Sequence, residues 1–500
     1  MKRLLIGAAL LFGPLLAVCL VRVALLPAPA PTGTAIAPIE FDEAGAVARM
    51  ADALRIPTIS HTDTARNDPA TFAAFAAHLE KSFPRAHAQL TRENVGPSLL
   101  YTWAGQDPAA QPLLLLAHMD VVPIEPGTEA KWTYAPFGGV VDGGFIWGRG
   151  ARDDKSSVLA LMETVEWLLA RGFTPPRRVY LAFGHDEEIG GQDGALKIAG
   201  LLKSRGVRAD LLDEGGAVLE GLVPGVPRPV ASIMAAEKGY FTVRMTARGE
   251  GGHSSRPPTA TAVGRLARAV ARVQQNPLPT RLERPVTDMF DRLAPEMSFG
   301  QRLVLANRWL FGPLLRRRLA SSQNTSPLVR TTTAPTVFHA GVKDNVLPSE
   351  AYALVNFRLL PGDTRQGVLT HLRQVIADPG IELAEDGGFG NEASVPSPVD
   401  SPLFRLLERT TREIFPDAVV ATGLVTGATD ARNYEGVYVS RYNFSPSTLN
   451  AADLPTIHGT DERIAVENYL RMVRFYVRLL QNLDPGSTGP VPGEPPGRDQ

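Results

Sequence analysis

Cysteine is almost absent from this chain, and its absence limits the chemistry that the folded part can perform. Cys19 is the only cysteine among 500 residues, and it lies within an apolar N-terminal run. The rest of the chain therefore has no disulfide and no thiol nucleophile. A metal site there has to use histidine, aspartate and glutamate side chains.

A surplus of positive charge is also lacking. Lysine and arginine number 51 against 52 aspartates and glutamates, which gives a formal net charge of -1. Nucleic-acid binders usually have a basic surplus, so we expect no nucleic-acid partner. With 44% hydrophobic and 21% charged residues, the composition is that of a folded protein. The length exceeds what one hydrophobic core usually organises, which predicts two domains.

A long apolar segment lies at the N-terminus. Lys2 and Arg3 precede an apolar run at residues 4–21, which approaches the roughly 20 residues needed to span a bilayer. A positive start followed by such a run is typical of a signal peptide or an uncleaved signal anchor over residues 1–26. Pro31 stands where a cut would have to fall, which favours the anchor. We therefore expect a membrane-anchored or exported protein on the periplasmic or extracytoplasmic side, with membrane contact through the N-terminus.

Short apolar runs alternate with helical segments in the first half of the chain. Leu113–Leu116 and Val179–Phe183 each suit a strand buried on both faces, and residues 155–171 between them have helical periodicity. This alternation predicts a mostly parallel sheet covered by helices. After about Lys238 the pattern changes to half-exposed strands such as Tyr240–Met245, which predicts a smaller α+β domain inserted between two segments of the first.

Histidine and acidic residues follow the predicted strand ends. The first strand leads into His118, with Asp120 two residues on, where open α/β sheets bind ligands. Asp153 and Asp154 lie where a loop meets a helix start, a position that helix capping alone would also explain. Three more groups complete the set: Asp186-Glu187-Glu188, Asp213-Glu214 and His458.

These side chains supply a full ligand set for two divalent metal ions with a water between them. Imidazole suits zinc, and the Asp120 carboxylate can orient a metal-bound His118 through its second ring nitrogen. Three consecutive acids at a strand end repel one another and cost stability when no cation is present. Two adjacent glutamates fit this chemistry, because one can bind metal while the other accepts a proton from the water.

Six motifs occur in an order that resembles a known family. They are Ala117–Pro123, Gly148–Lys155, Asp186–Gly190, Asp213–Gly216, Gly252–Ser255 and Ile457–Gly459. From about Phe41 to Leu483 the chain resembles the aminoacylase and carboxypeptidase S family of di-zinc metallopeptidases. The narrower resemblance, supported by Arg330–Ala334 and Asn356–Arg358, is to carboxypeptidase S and the N-fatty-acyl-amino-acid hydrolases.

The resemblance implies a role for each residue of the metal site. The implied ligands are His118 and Glu214 on one side of the metal pair, Glu188 and His458 on the other, and Asp153 as the bridge. Glu187 is implied as the general base, and Asp120 as the residue that orients His118. Asp213 is the alternative to Glu214, since its role varies across such families. The implied cofactor is two Zn²⁺ per subunit, with Co²⁺ or Mn²⁺ as substitutes.

The resemblance also implies four groups that contact substrate. His253 resembles a lid histidine that stabilises the developing oxyanion, often across a dimer. Asn345 and Arg358 resemble lid residues that contact the substrate. Arg432 resembles the arginine that pairs with the substrate α-carboxylate, a task that suits a guanidinium because it meets a carboxylate in two parallel hydrogen bonds. A homodimer through the lid domain is compatible with the resemblance.

The expected activity is hydrolysis of an amide bond adjacent to a free carboxylate, on a peptide or an N-acyl amino acid. Metal-activated water would attack the amide, with Glu187 as general base. Two alternatives stay open: a desuccinylase- or deacetylase-type amidase of a small metabolite, and a catalytically silent homologue that only binds. The presence of Glu187, Glu188 and His458 argues against the silent homologue.

The expected fold class is α/β: a mostly parallel-sheet catalytic domain covered by helices, with an inserted smaller α+β lid or dimerisation domain. The expected segments are a signal anchor or signal peptide at 1–26, a linker at 27–40, the first catalytic-domain segment at 41–240, the lid domain at 241–390, the second catalytic-domain segment at 391–484 and a disordered tail at 485–500. Within the lid domain, Met289–Ser321 is apolar and basic. It fits either a core helical hairpin or an apolar lip near the active site or the membrane.

Overall fold

The structure is a computed structural model that describes residues 2–34, 36–37, 39–387 and 390–483. The predicted tail at 485–500 lies outside the described residues. The chain divides into two units. The larger unit holds residues 29–235, 397–422 and 429 onward, and the smaller unit holds residues up to 28, 236–396 and 423–428.

The regular elements are numbered in chain order. The α-helices are α1 (Lys2–Ala24), α2 (Glu43–Leu54), α3 (Pro69–Ser82), α4 (Pro84–Gln89), α5 (Lys155–Leu169), α6 (Ala195–Ser204), α7 (Ala262–Gln275), α8 (Val286–Leu293), α9 (Phe299–Ala306), α10 (Arg308–Ala320), α11 (Arg365–Ile376), α12 (Pro402–Ile414) and α13 (Val466–Gln481). The strands are β1 (Thr91–Val95), β2 (Ser98–Trp103), β3 (Leu113–His118), β4 (Val140–Asp142), β5 (Phe145–Trp147), β6 (Val179–Gly184), β7 (Ala209–Asp213), β8 (Val218–Leu219), β9 (Val230–Glu237), β10 (Gly239–Arg248), β11 (Gly252–His253), β12 (Thr332–Ala340), β13 (Val346–Leu347), β14 (Glu350–Leu359), β15 (Ile381–Glu385), β16 (Val419–Val425), β17 (Tyr438–Asn443), β18 (Thr448–Leu449) and β19 (Arg463–Ala465).

A large sheet organises the larger unit. Its strand order is β1-β2-β6-β3-β7-β17-β9-β8-β18, with β16 paired to β9. The central strands β6, β3, β7 and β17 run parallel to one another. All six residues of β3 are buried. Leu113 and Leu115 belong to one hydrophobic core while Leu114 and Leu116 belong to another, because successive side chains of a strand point to opposite faces. The double burial explains why the β3 sequence is an unbroken apolar run.

Helices cover both faces of this sheet. Val158 and Leu161 of α5 share a core with Val473 of α13 on one face. Ile198 and Leu202 of α6 belong to the core on the other face. The predicted α/β class with a mostly parallel central sheet is therefore confirmed. The predicted helix at residues 155–171 is α5, which begins at Lys155 and ends at Leu169.

The smaller unit contains an antiparallel sheet of four strands in the order β12-β14-β10-β15. Along β14, buried residues alternate with half-buried ones, which is the pattern of a sheet with one face on a core. That core joins Val243 and Phe357 of the sheet to Leu266 of α7 and Leu372 of α11. The predicted change from doubly buried runs to alternating strands after Lys238 is confirmed.

The apolar and basic segment Met289–Ser321 folds as the end of α8 followed by α9 and α10. Phe290 and Leu305 are buried in a hydrophobic cluster of the smaller unit. Trp309 and Leu314, in contrast, have exposed fractions of 54% and 65%. The segment therefore has a small core of its own, as the hairpin interpretation predicts, and also an exposed apolar face.

Helix α1 contacts α9 within the smaller unit. Its Cys19 and Val23 are buried, and the side-chain amide of Asn307 donates a hydrogen bond of 3.1 Å to the Cys19 carbonyl oxygen. Within the described residues, no helix has both the length and the apolar character needed to cross a bilayer. The transmembrane form of the anchor prediction is therefore not supported.

The segment predicted as a linker at 27–40 makes specific backbone contacts in the larger unit. The Gly33 N–H donates to the Pro416 carbonyl oxygen at 2.7 Å, and the Trp167 indole N–H donates to the Glu40 carbonyl oxygen at 2.8 Å. A Cβ at Gly33 would lie 2.0 Å from the carbonyl oxygen of Arg412. The close approach of two backbones thus requires glycine at this position.

Candidate active site

The ends of three parallel strands place the candidate chemistry at one edge of the larger unit's sheet. Strand β3 ends at His118 and β7 ends at Asp213. Glu187 and Glu188 begin a short 3-10 turn just after β6. Because β3, β6 and β7 are parallel neighbours, their carboxyl ends share one edge, which is where open α/β sheets bind ligands. Asp153 reaches this edge from the loop before α5.

Two groups of ligand atoms share Asp153. In each group, one from His118, Asp153 and Glu214 and one from Asp153, Glu188 and His458, the three ligand atoms lie within 4.8 Å of one another. The His118 Nε2 lies 2.9 Å from Asp153 Oδ1 and 3.5 Å from Glu214 Oε1. The His458 Nε2 lies 3.1 Å from Asp153 Oδ2 and 3.3 Å from Glu188 Oε2. Each oxygen of Asp153 therefore faces one histidine, and this carboxylate joins the two groups.

Asp120 is fully buried, and its carboxylate contacts both the His118 ring and the backbone of the turn that contains Glu187 and Glu188. Its Oδ1 lies 3.3 Å from His118 Nδ1. The N–H groups of Glu187 and Glu188 donate to its two oxygens at 3.1 and 3.2 Å, and the Ser60 hydroxyl donates to Oδ2 at 2.5 Å. With its proton on Nδ1, facing Asp120, the His118 ring presents Nε2 as a ligand. The same carboxylate thus holds the ring of His118 and the turn that contains both glutamates.

Glu187 is buried and lies beside a guanidinium. The Arg432 Nη2 is 4.0 Å from Glu187 Oε1, and both side chains are at most one-tenth exposed. Burial raises the pKa of Glu187 well above its ordinary value, and the neighbouring carboxylate of Asp430 adds to this against the lowering influence of His118. A carboxylate with a raised pKa accepts a proton more readily near neutral pH. The arrangement suits Glu187 to proton transfer.

The two acids at the end of β7 have different surroundings. The Asp213 Oδ1 accepts a hydrogen bond from the Glu214 N–H at 2.9 Å, and its Oδ2 accepts one from the Ala431 N–H at 2.8 Å. Glu214 instead directs its carboxylate toward His118. Asp213 therefore fastens the turn that contains Arg432, whereas Glu214 belongs to a ligand group.

A family model matches the segment in which all of these acidic and histidine ligands occur. The model, described as peptidase family M20/M25/M40, matches residues 114–482. This chain belongs to the M20 peptidases. The predicted family and the predicted enzyme class, a metallopeptidase-type hydrolase, are confirmed by this membership.

Individual relatives agree with the M20 assignment. The N-fatty-acyl-amino acid synthase/hydrolase PM20D1 of Xenopus tropicalis is 41% identical over 450 residues, which is 89% of this chain and 87% of the relative. Carboxypeptidase S of Saccharomyces cerevisiae is 30% identical over 490 residues, which is 88% of this chain and 84% of the relative. Among solved structures, the M20 family metallo-carboxypeptidase Sso-CP2 of Sulfolobus solfataricus has a TM-score of 0.63 at 19% identity, covering 88% of this chain and 99% of that one. The structural likeness shows that the fold is shared.

The ligand groups fit a divalent metal ion by their chemistry. Imidazole nitrogens and carboxylate oxygens are the donors that zinc takes when cysteine is lacking. The Glu188 Oε1 is buried, and within the described residues it has no hydrogen-bond partner. The facing carboxylates of Asp153 and Glu188 raise the pKa of His458 to about 10. Burial, with Asp153 nearby, raises the pKa of Glu214 to about 7. Such crowding of negative charge favours a cation at this position.

His253 and Asn345 lie together within the smaller unit. Their segments meet where β11 pairs with β13, and the Ser254 N–H donates to the Asn345 carbonyl oxygen at 3.1 Å. Both residues are exposed. The Ser255 N–H donates to His253 Nδ1 at 3.1 Å, so the neutral ring keeps its hydrogen on Nε2. His253 can therefore donate a hydrogen bond through Nε2.

The two arginines predicted to contact substrate belong to different units. Arg432 lies in the 3-10 turn Asp430–Tyr434 of the larger unit, beside Glu187. Arg358 lies on β14 of the smaller unit, with its guanidinium carbon 4.6 Å from the centroid of the Tyr240 ring. The structure thus places Arg432 next to the predicted base. Arg358 lies in the smaller unit, which also contains His253 and Asn345.

Sequence reasoning missed several supporting residues. Ser60, which donates to Asp120, has no motif around it. Asp430 lies close to Gly184, because a Cβ built on Gly184 would be 2.4 Å from Asp430 Oδ2. Asp430 comes two residues before Arg432, and this position was a usable signal. Glu462 accepts the Asp153 N–H at 3.2 Å, and its place in the loop after His458 was another.

Proposed function

We propose that this chain is a two-zinc hydrolase that cleaves the amide bond beside a free carboxylate in N-acyl amino acids and peptides. The observation behind the proposal is the pair of ligand groups joined by Asp153, next to a buried Glu187 that has Arg432 beside it. The two relatives described above are named for N-fatty-acyl-amino acids and for a carboxypeptidase activity. Substrates of both kinds contain an amide next to a free carboxylate.

The proposed ligands are the residues of the two groups: His118, Asp153 and Glu214 for one ion, and Asp153, Glu188 and His458 for the other. Glu214 is preferred to Asp213 because both Asp213 oxygens accept backbone N–H groups. When bound, zinc supplies Lewis-acid activation of the attacking water and of the amide carbonyl. Co²⁺ or Mn²⁺ is expected to substitute for it.

Proton transfer is assigned to Glu187. Its carboxylate accepts a proton from the attacking water and then gives that proton to the leaving nitrogen. Asp120 keeps the Glu187 backbone and the His118 ring in fixed positions during the transfer, through the hydrogen bonds described above. The raised pKa of Glu187 is consistent with both halves of this task.

Four residues are assigned to substrate recognition. Arg432 pairs with the substrate α-carboxylate through two parallel hydrogen bonds, which restricts cleavage to amides beside that carboxylate. His253 donates through Nε2 to the developing oxyanion. Asn345 and Arg358 contact the substrate, as the resemblance implies.

A hydrolysis panel tests the proposal. N-acetyl amino acids, N-oleoyl amino acids and dipeptides are each compared with the same compound carrying a carboxamide in place of the free carboxylate. We expect the carboxamide forms to turn over far more slowly than the carboxylate forms, and a fall of about 10³-fold in kcat for Glu187→Gln, with zinc content unchanged. The matched control Glu220→Gln, at an exposed residue of the same unit, should behave as wild type. Equal turnover of the carboxamides, or an active Glu187→Gln enzyme, would contradict the proposal.

We also propose that the protein is exported and that α1 rests against a membrane surface. Leu16, Val18 and Val21 of α1 have exposed fractions of 56%, 49% and 56%, and apolar side chains on a helix surface favour the bilayer interface. Fractionation should find the protein outside the cytoplasm, and flotation should recover the full chain with lipid vesicles. A chain that begins at Pro27 should stay with the soluble fraction. Equal flotation of both proteins would rule out α1 as the contact.

A homodimer through the smaller unit is the remaining proposal. Strand β12 is an edge strand of its sheet, and Val337 and Phe338 are exposed along it. Unpaired edges are the places where sheets of two chains join. Light scattering should find a dimer for the wild type and a monomer for Phe338→Asp. The control Val395→Asp, at an exposed residue of the same unit, should stay dimeric, and a monomeric wild type would contradict the proposal.

A further inference from the structure

Arg149 and Glu462 form a buried ion pair that has no role in the proton transfer or substrate binding proposed above. Their side chains are 2% and 0% exposed, and Arg149 Nη1 donates to Glu462 Oε2 at 2.6 Å. Removing two charges from water is costly, and a buried pair of this kind adds little net stability compared with apolar residues. The other contacts of the two side chains therefore indicate what the pair does.

Those contacts reach the loops of two proposed metal ligands. The second carboxylate oxygen of Glu462 accepts the N–H groups of Arg152 and Asp153 at 3.0 and 3.2 Å. The Arg149 Nη2 donates to the carbonyl oxygens of His458 and Gly459 at 3.2 and 3.0 Å. One ion pair thus connects the Asp153 backbone to the His458 backbone.

His458 has a particular need for such a contact. Its side chain is 50% exposed, whereas that of His118 is 1% exposed. Its φ of 58° lies in the left-handed region, which non-glycine residues seldom occupy. Packing does not fix this histidine, and the backbone hydrogen bond from Arg149 supplies the restraint that packing provides at His118.

We infer that Arg149 and Glu462 are positioning residues that assemble the ligand group of Asp153, Glu188 and His458. They act through backbone atoms and do not themselves bind the metal. The inference rests on the proposed metal-dependent function and extends it to the residues that support the site. Outer residues that orient metal ligands typically change metal affinity by 10- to 100-fold when they are replaced.

The chain offers a matched control pair. Arg177 and Asp210 form a second buried ion pair in the larger unit, with a distance of 2.9 Å and side chains 5% and 6% exposed. Arg177 also donates to a backbone carbonyl, that of Gln111, at 2.7 Å. Asp210 lies near the start of β7, whereas the candidate site lies at its end. Loss of this pair should affect stability without affecting the site.

The test is titration of metal-free protein with Co²⁺, followed by visible absorption, together with thermal melting of the same metal-free samples. For Arg149→Lys and Glu462→Gln we expect the affinity of one of two Co²⁺ sites to fall by about 10- to 100-fold while the other is retained. Arg177→Lys and Asp210→Asn should lower the melting temperature to a similar degree and keep both affinities. Glu462→Asp replaces Glu462→Gln if the latter does not fold.

A double variant separates positioning from a general loss of stability. If Arg149 acts through His458, then Arg149→Lys added to His458→Ala should not weaken Co²⁺ binding further. Unchanged binding of two Co²⁺ in Arg149→Lys and Glu462→Gln, or equal weakening in the Arg177–Asp210 controls, overturns the inference and leaves the proposed function standing. A wild type that binds no Co²⁺ overturns the proposed function itself.

Discussion

The candidate residues of the larger unit and those of the smaller unit differ in how they are held. In the larger unit, His118, Asp120 and Glu187 are buried and joined by direct contacts between their side chains and backbones. In the smaller unit, His253 and Asn345 are exposed, and they are held by a short strand pair and local hydrogen bonds. The difference teaches that the residues proposed for metal binding and proton transfer are held by contacts with one another, whereas the residues proposed for substrate contact are held by local hydrogen bonds on an exposed surface.

Asp153→Ala should give the largest effect, because its two oxygens serve both ligand groups. We expect metal content and turnover to fall to background, measured by elemental analysis and by hydrolysis of an N-acyl amino acid. Asp63→Ala, at an exposed cap of the same unit, is the control and should keep both. Full zinc occupancy in Asp153→Ala would contradict the proposal that Asp153 belongs to both ligand groups.

His253→Gln should lower turnover with no change in metal content. Removal of one oxyanion donor typically lowers kcat by about 10²- to 10³-fold. Ser255→Ala is the control, because it keeps the backbone N–H that sets the His253 tautomer and should remain active. If His253→Gln loses zinc, the exposed residues of the smaller unit are not independent of the metal site.

Arg432→Lys should weaken recognition of the carboxylate while zinc and folding are retained. The loss of one charge-assisted hydrogen bond is worth about 1.5–3 kcal/mol, or roughly 10- to 100-fold in kcat/KM. The effect should be absent for substrates whose carboxylate is replaced by a carboxamide. An equal loss for both substrate forms would assign Arg432 to the support of Glu187 instead.

Removal of residues 1–26 should have the smallest effect on catalysis. We expect kcat/KM within about twofold of the full chain, because the ligand groups lie in the larger unit. The melting temperature should fall by a few degrees, since Cys19 and Val23 leave buried positions in the smaller unit. Asn307→Ala, which removes the hydrogen bond to Cys19, should reproduce some of that fall. A truncated chain without activity would show that α1 supports the site as well.

Local sequence patterns predicted helices and strands, but they did not predict the long-range contacts. The unbroken apolar run of β3 and the acids after β6 were visible because burial on two faces and charge repulsion are local properties. The ion pair of Arg149 and Glu462 joins residues 313 positions apart, and no periodicity marks such a pair. The hydrogen bond from the Glu187 N–H to Asp120 likewise forms because β3 and β6 are neighbours in the sheet. The sequence alone does not give this adjacency. Ligand types could therefore be predicted, but the residues that hold them could not.

The position of β17 has a consequence for synthesis. This strand lies between β7 and β9 in the sheet, although it comes long after both in the chain, and His458 and Glu462 follow it. A nascent polypeptide emerges from the ribosome N-terminus first, so it cannot close the sheet before β17 is made, nor complete the proposed ligand groups before His458 is made. On the proposed ligand set, a premature stop anywhere before His458 should therefore abolish activity.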